Sequence, residues 1–214
     1  MISHALTIVV NELNKHLSDE YDVLGDAVGL GNIAEGLAKS SNGSTSEGVP
    51  REMLILSMVN IKEEKSLKNL PNQTVDNTGL RVIYENPPVF LNAQILISAT
   101  HSNYAGALLM LSRAIRFFQF KKVFTQDNVF PASISTGQPL KALDQLETFK
   151  LIFDLYSPSM EEVNHMWGTL GGKQYPFAMY VMRMLSLQFN GSQSEGSLVS
   201  EVFRDFYHKT SVAN

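Results

Sequence analysis

Val89-Phe90-Leu91-Asn92-Ala93-Gln94-Ile95-Leu96-Ile97-Ser98-Ala99 decides the fold. Val89, Leu91, Ala93, Ile95, Ile97 and Ala99 recur at every second position, and Asn92, Gln94 and Ser98 fall between them. A period of two marks a strand that lays one face on a core. Pro87-Pro88 fixes where the strand begins, and His101-Ser102-Asn103 ends it. Ser102 or Asn103 can cap a following helix. That helix is expected over 104–118, with Leu108, Leu111, Ile115 and Phe118 on one side.

Outward from this passage, the same plan returns at 147–170 in different residues. Phe149, Leu151, Phe153 and Leu155 alternate with Thr148, Lys150 and Asp154, which predicts a second strand. Ser157-Pro158 then opens a helix whose first turn carries Glu161 and Glu162, favourable to the helix dipole. It carries Trp167 and should stop at Gly171-Gly172. A long Met- and aromatic-rich strand follows at 175–189. Towards the N-terminus, Ile2, Leu6, Val9, Val10, Leu13 and Leu17 define an amphipathic helix over 2–17. A short strand is expected within 26–37, a buried strand at 53–61 and another short strand at 123–130. Loops are expected at 40–46, 62–79 and 131–139. Leu198, Val202, Phe203 and Phe206 mark a last helix. Strands interleaved with helices indicate an α+β fold, a mixed and mainly antiparallel sheet flanked by helices. The expected organisation is one domain over 1–190 with a C-terminal helix and tail over 191–214.

Composition excludes several functions. The 214 residues contain no cysteine, which removes disulfides, thiolate catalysis and cysteine–zinc sites. The net charge is −4, so there is no basic excess to neutralise phosphates, and no nucleic-acid partner is expected. Charged residues make up only 18%, below the usual ~25%, as in a protein that covers much of its surface with partners. The N-terminus lacks the basic and apolar regions of a signal peptide, and no apolar run approaches the ~20 residues of a membrane span. The expectation is synthesis in the cytoplasm and no membrane insertion.

Chemical motifs fail on inspection. The five histidines, His4, His16, His101, His165 and His208, form no HExxH pattern. Glu161, Glu162 and His165 share a helix, but a third ligand is missing. Gly29-Leu30-Gly31-Asn32-Ile33-Ala34 fits a loose dinucleotide pattern, yet a helix precedes it and none opens after it. Gly168 to Lys173 superficially suggests a phosphate loop, but Trp167 and Gln174 stand where glycine and Ser or Thr are needed. No catalytic residue, cofactor or metal site is therefore expected. Arg113, Arg116, Lys121 and Lys122 read as a solvated basic cluster, and Met179, Met182 and Met184 as core.

Two segments become informative together: 84–100 with its following helix, and 166–185. In the second, Trp167, Gly171, Tyr175, Tyr180 and Arg183 run from a Trp-bearing helix through glycine into a strand with a Tyr-x-x-Arg pattern. With Pro87 and Pro88 before the first strand, and the N-terminal helix, the chain resembles the cap (tube and sheath terminator) family of phage-tail-like extracellular contractile injection systems. The antifeeding-prophage and virulence-cassette particles are of this type. The resemblance implies a tail-terminator-like fold and a non-enzymatic assembly subunit. Such a subunit closes the distal end of inner tube and sheath as a hexameric ring, with itself, sheath and tube proteins as partners. The particle would be extracellular or membrane-anchored. Alternatives are a baseplate or tube-adaptor component, or a small hydrolase or nucleotide-binding enzyme. The family-motif residues, together with Phe203 and Phe206, are the candidates for packing or interface roles. Docking by strand addition at a sheet edge is expected.

Overall fold

The computed structural model describes residues 1–38, 48–67, 71, 73–76, 81–188, 194–197 and 204. In chain order they form α1 (Ile2–Tyr21), β1 (Val28–Leu30), β2 (Leu54–Glu63), β3 (Gln73–Asp76), β4 (Arg81–Tyr84), β5 (Val89–Ala99), α2 (Tyr104–Phe120), β6 (Val123–Thr125), α3 (Pro131–Ser135), β7 (Lys150–Tyr156), α4 (Met160–Thr169), β8 (Phe177–Leu187) and β9 (Ser194–Ser197). They fall into two units, Met1–Lys68 with Val89–Leu187, and Asn69–Pro88 with Gln188–Asn214. The first holds a six-stranded sheet in the order β1-β2-β5-β8-β7-β6, and the second a three-stranded antiparallel sheet, β3-β4-β9. In the six-stranded sheet only β1 and β2 are parallel; every other pair is antiparallel. This is the α+β arrangement that the alternating periods predict.

β5 is central because both its faces are buried. Ala93, Ile95, Ile97 and Ala99 join the larger core with Leu6, Val9 and Leu13 of α1 and Ala107, Ala114 and Phe118 of α2. Leu96 points the other way, into a smaller core with Ile33, Ile55, Trp167 and Met179. Helices therefore cover both faces, α1 and α2 on one and α4 on the other. Asn103 caps α2, its side chain accepting from Ala105 N–H at 3.1 Å.

The structure corrects several expectations. Leu108 lies on the solvent side of α2, and the buried stripe is Ala107, Met110, Leu111, Ala114, Phe117 and Phe118. Leu155 is exposed although it continues the apolar period of β7. The segment 62–79 is not wholly loop. β2 runs on to Glu63, because β5 supplies a ladder for Asn60, Ile61, Lys62 and Glu63 whatever their polarity, and β3 lies further along. Within 131–139, α3 begins with Pro131 at its first turn. Five residues are too few to show a helical period. The long strand starts at Phe177, not Tyr175. The loop at 40–46 and the last helix with Phe203 and Phe206 lie outside the described residues.

Two irregularities divide the sheet. β2 skips register between Met58 and Asn60 opposite Ile95 and Gln94, and β8 skips between Met182 and Leu185 opposite Ala93 and Leu91. Met184, in the second bulge, takes a left-handed φ of 68°. Bulges sharpen strand twist and bend. Both flank β5 at nearly one level.

Candidate functional site

The family-motif residues sit in three environments. α4 starts with a capping box: Ser159 Oγ accepts from Glu162 N–H at 3.2 Å, and Glu162 accepts from Ser159 N–H at 2.8 Å. Tyr156 donates its hydroxyl to the same carboxylate at 2.8 Å, tying α4 to β7. These bonds set the Trp167 ring on the second face of the sheet, 6.1 Å from Tyr175 and 5.5 Å from Phe177, centroid to centroid. Trp167 is buried in that small core, and Tyr175 is partly buried beside it. Gly171 and Gly172, at φ of 97° and 77°, turn the chain, and Gly172 N–H donates to Trp167 C=O at 2.8 Å.

Tyr180 lies on the opposite face. Its ring packs 4.7 Å from Phe118, and burial pushes its hydroxyl up to about 12. Arg183 is exposed in the β8 bulge, its Nε 3.1 Å from Asp154. Pro87 and Pro88 end the strandless link before β5. The structure thus brings Trp167, Gly171 and Tyr175 together, and leaves Tyr180 and Arg183 apart from them. Met179 and Met182 are core, as their pattern indicates; Met184 is not fully buried.

The failed motifs have structural explanations. A Cβ on Gly31 would stand 2.6 Å from Val49 Cγ1, so the glycine is kept for close packing. Among the described residues, no group of three His, Asp or Glu side chains is placed to hold a metal ion. No helix among them is long and apolar enough to cross a membrane.

What the structure offers is surface. Beyond the twin bulges, β2 carries exposed Met58, Asn60, Ile61 and Lys62, and β5 begins with exposed Val89. Glu64 fixes this end of the sheet. It accepts from Ser66 Oγ at 2.5 Å and from Asn92 Nδ2 at 2.8 Å, and these bonds bring its carboxyl down to about 2. The outer strands, by contrast, are closed. Asn14 Oδ1 accepts from Ala27 and Val28 N–H at 3.0 and 2.9 Å, and its Nδ2 donates to Val28 C=O at 2.9 Å. At the other side Asn128 accepts from Thr125 N–H and donates to Val123 C=O, both at 2.9 Å. Strand addition at β1 or β6 would have to displace these bonds. The two asparagines carry no period or motif that would have revealed this.

A mostly antiparallel sheet with α-helices packed on it is the fold that this chain has in common with solved tube and sheath terminators. The chain shares it over 100% of its length with the sheath/tube terminator of an extracellular contractile injection system, named PVC, in its extended state, with a TM-score of 0.58 and 15% identity. It also shares it over 92% of its length with the anti-feeding prophage tube-terminating cap, with a TM-score of 0.50 and 14% identity. Residues 4–201 match the Pvc16 N-terminal domain family, and the chain belongs to that family. It spans 65% and 60% of the two solved relatives' lengths. No curated protein matches it.

Proposed function

We propose that this chain is a non-catalytic subunit that closes the distal end of the inner tube and contractile sheath of a phage-tail-like injection particle. The observation that carries this reading is the shared fold with a sheath/tube terminator over the whole chain. Family membership over 4–201 and the exposed end of the sheet support it. In this reading the subunits form a ring, hexameric by analogy, seated on the last tube and sheath layer. A terminator must bind its own copies side by side and the polymer end beneath, so it needs large surfaces rather than a pocket. The grooves of the first unit are open, at about 300 to 380 Å³; one of them is lined by Lys62, Tyr156, Glu162 and His165, where Tyr156 donates to Glu162 at 2.8 Å and so helps to hold the start of α4. Pro87, Pro88 and Arg183 are proposed to position contact segments, with Trp167, Gly171, Tyr175 and Tyr180 holding the scaffold. The C-terminal segment at 197–214, with Phe203 and Phe206, is proposed to reach a neighbour.

Particles assembled without this chain, imaged by negative stain, test the reading. Sheaths of uncontrolled length, or tube and sheath parting at the end away from the baseplate, are expected. Particles of normal length with intact ends would overturn it. Truncation after residue 196 should disturb capping; normally capped particles would remove the role assigned to the tail.

A further inference from the structure

Two apolar surfaces of the first unit differ in form and stand at opposite ends of its sheet. One is a groove of about 380 Å³ between the start of α2 and the entry to β8, lined by Tyr104, Leu108, Leu111, Tyr175, Pro176 and Phe177. Tyr104 is 67% exposed. The other is the loop Pro139-Leu140-Lys141-Ala142-Leu143, in which Leu140 is fully exposed and Leu143 is 68% exposed.

The loop is held in place although it faces solvent. Gln145 Nε2 donates to Pro139 C=O at 2.8 Å, and Asp144 and Gln145 N–H close a tight turn on Lys141 and Ala142 C=O. Beneath it, His4 is buried at 1% exposure and uses both ring nitrogens. Nδ1 accepts from Leu146 N–H at 2.9 Å, and Nε2 bonds Ile134 C=O at 3.0 Å. A rigid loop that presents leucines to water has already lost the freedom that binding would remove.

Position matters as much as form. Phe177, in the groove, pairs with Ser98 at one end of β5; Leu146 and Phe149 line a cavity with Phe90 and Ser186 at the other. Eight residues of strand separate those ends by about 26 Å. Copies joined loop to groove are therefore related head to tail, the interface type that generates rings when its rotation closes. Charge agrees. Exposed Lys173 precedes the groove's 174–177 wall, and the loop's one exposed cation, Lys141, is outnumbered by exposed Asp144 and Glu147 beside it. We infer that the Leu140–Leu143 loop of one copy seats in the Tyr104–Leu108–Tyr175 groove of the next, and that this contact builds the ring. The inference rests on the ring proposed above and names its interface.

The chain lacks cysteine, so single cysteines report cleanly. Full-length Leu108→Cys and Leu140→Cys variants, separately and mixed, would be treated with a short bis-maleimide, alongside native mass measurement of the untreated chain. A crosslinked dimer in the mixture, absent from either variant alone, is expected. Leu140→Asp should weaken self-association by about tenfold or more, the scale of one lost leucine burial. An oligomer without the mixed crosslink would overturn this interface and leave the cap reading standing. Crosslinking of Leu108→Cys alone would show a two-fold groove-to-groove contact and also overturn it. A chain that stays monomeric both free and with particle ends, while particles lacking it are normal, would remove both readings.

Discussion

Asn14 and Val28 are bonded as if Asn14 were a neighbouring strand: the carboxamide accepts from Val28 N–H and donates to Val28 C=O, both at 2.9 Å. A side chain on α1 thus occupies the free edge of β1, and Asn128 does the same for β6. A sheet whose outer strands are blocked in this way resists pairing with itself. Pairing at β1 or β6 would first have to displace these asparagines.

Asn14→Ala should therefore have two effects. It leaves partly buried N–H and C=O groups of Ala27 and Val28 without their partner, for a loss of about 1–3 kcal/mol in urea unfolding. It also frees the β1 edge, so concentration-dependent aggregation should rise. A variant as stable and as soluble as the parent would show that the bonds are incidental.

Glu12 and Lys121 join α1 to the end of α2 at 2.7 Å, and both side chains are largely buried. Burial pushes the Glu12 carboxyl up, but the bonds it accepts from Lys121, Ser133 and Phe130 N–H outweigh that and hold it below the usual value of 4.5. A carboxyl lowered by folding stabilises above its unfolded value, and the contribution is lost as pH falls through the folded one. Unfolding free energy should thus fall as pH drops below about 4.5, and Glu12→Gln should flatten part of that fall. Lys121→Met leaves the carboxylate without its cation and should cost about 2–4 kcal/mol at neutral pH. Parallel pH profiles for parent and Glu12→Gln would refute this assignment.

Glu64 provides a local acid response. Its carboxyl lies at about 2 instead of 4.5, because Ser66 and Asn92 donate to it. The carboxyl is protonated in the folded protein only as pH falls through about 2, and the outer end of β2 then loses this side-chain tie to β5. Amide exchange at 61–64 should quicken on acidification while residues 54–57, in the covered half, stay protected. Equal response in both halves would mean that the bulges do not separate them.

The central fold was legible because burial is periodic there. β5 alternates, and its bounds follow from Pro88 and His101. α1 and α4 carry apolar stripes, and α4 also has its cap and glycine stop. What escaped is structure made by tertiary partners. Asn60 and Lys62 are strand residues because β5 lies beside them, not through any period of their own. Leu108 reads as core from spacing, yet its side of α2 faces solvent, where the groove lies. The same reading underlies the missed candidate surface, since an exposed leucine on a docking face has the sequence signature of a buried one. Tyr180 and Trp167 were grouped by motif, but strand alternation sends Tyr180 to one face while α4 rests Trp167 on the other.

Trp167 is the chain's single tryptophan, and it gives the sharpest test of the second core. Its ring is buried against Phe177 and Tyr175, but among the described residues its Nε1–H has no hydrogen-bond partner. A buried donor without an acceptor costs free energy that the ring's apolar contacts must offset. Trp167→Phe removes that donor and keeps much of the contact, so its loss should stay within about 1 kcal/mol. Trp167→Ala removes both, and a cavity of that size costs about 3–5 kcal/mol. Urea unfolding followed by far-ultraviolet circular dichroism compares the two without needing the tryptophan signal. Near-equal losses would mean that the indole N–H is satisfied in solution, by water or by a partner. In the parent protein, emission should be blue-shifted when folded and move to longer wavelength only with global unfolding, because α4 is fastened by its capping box and by Tyr156.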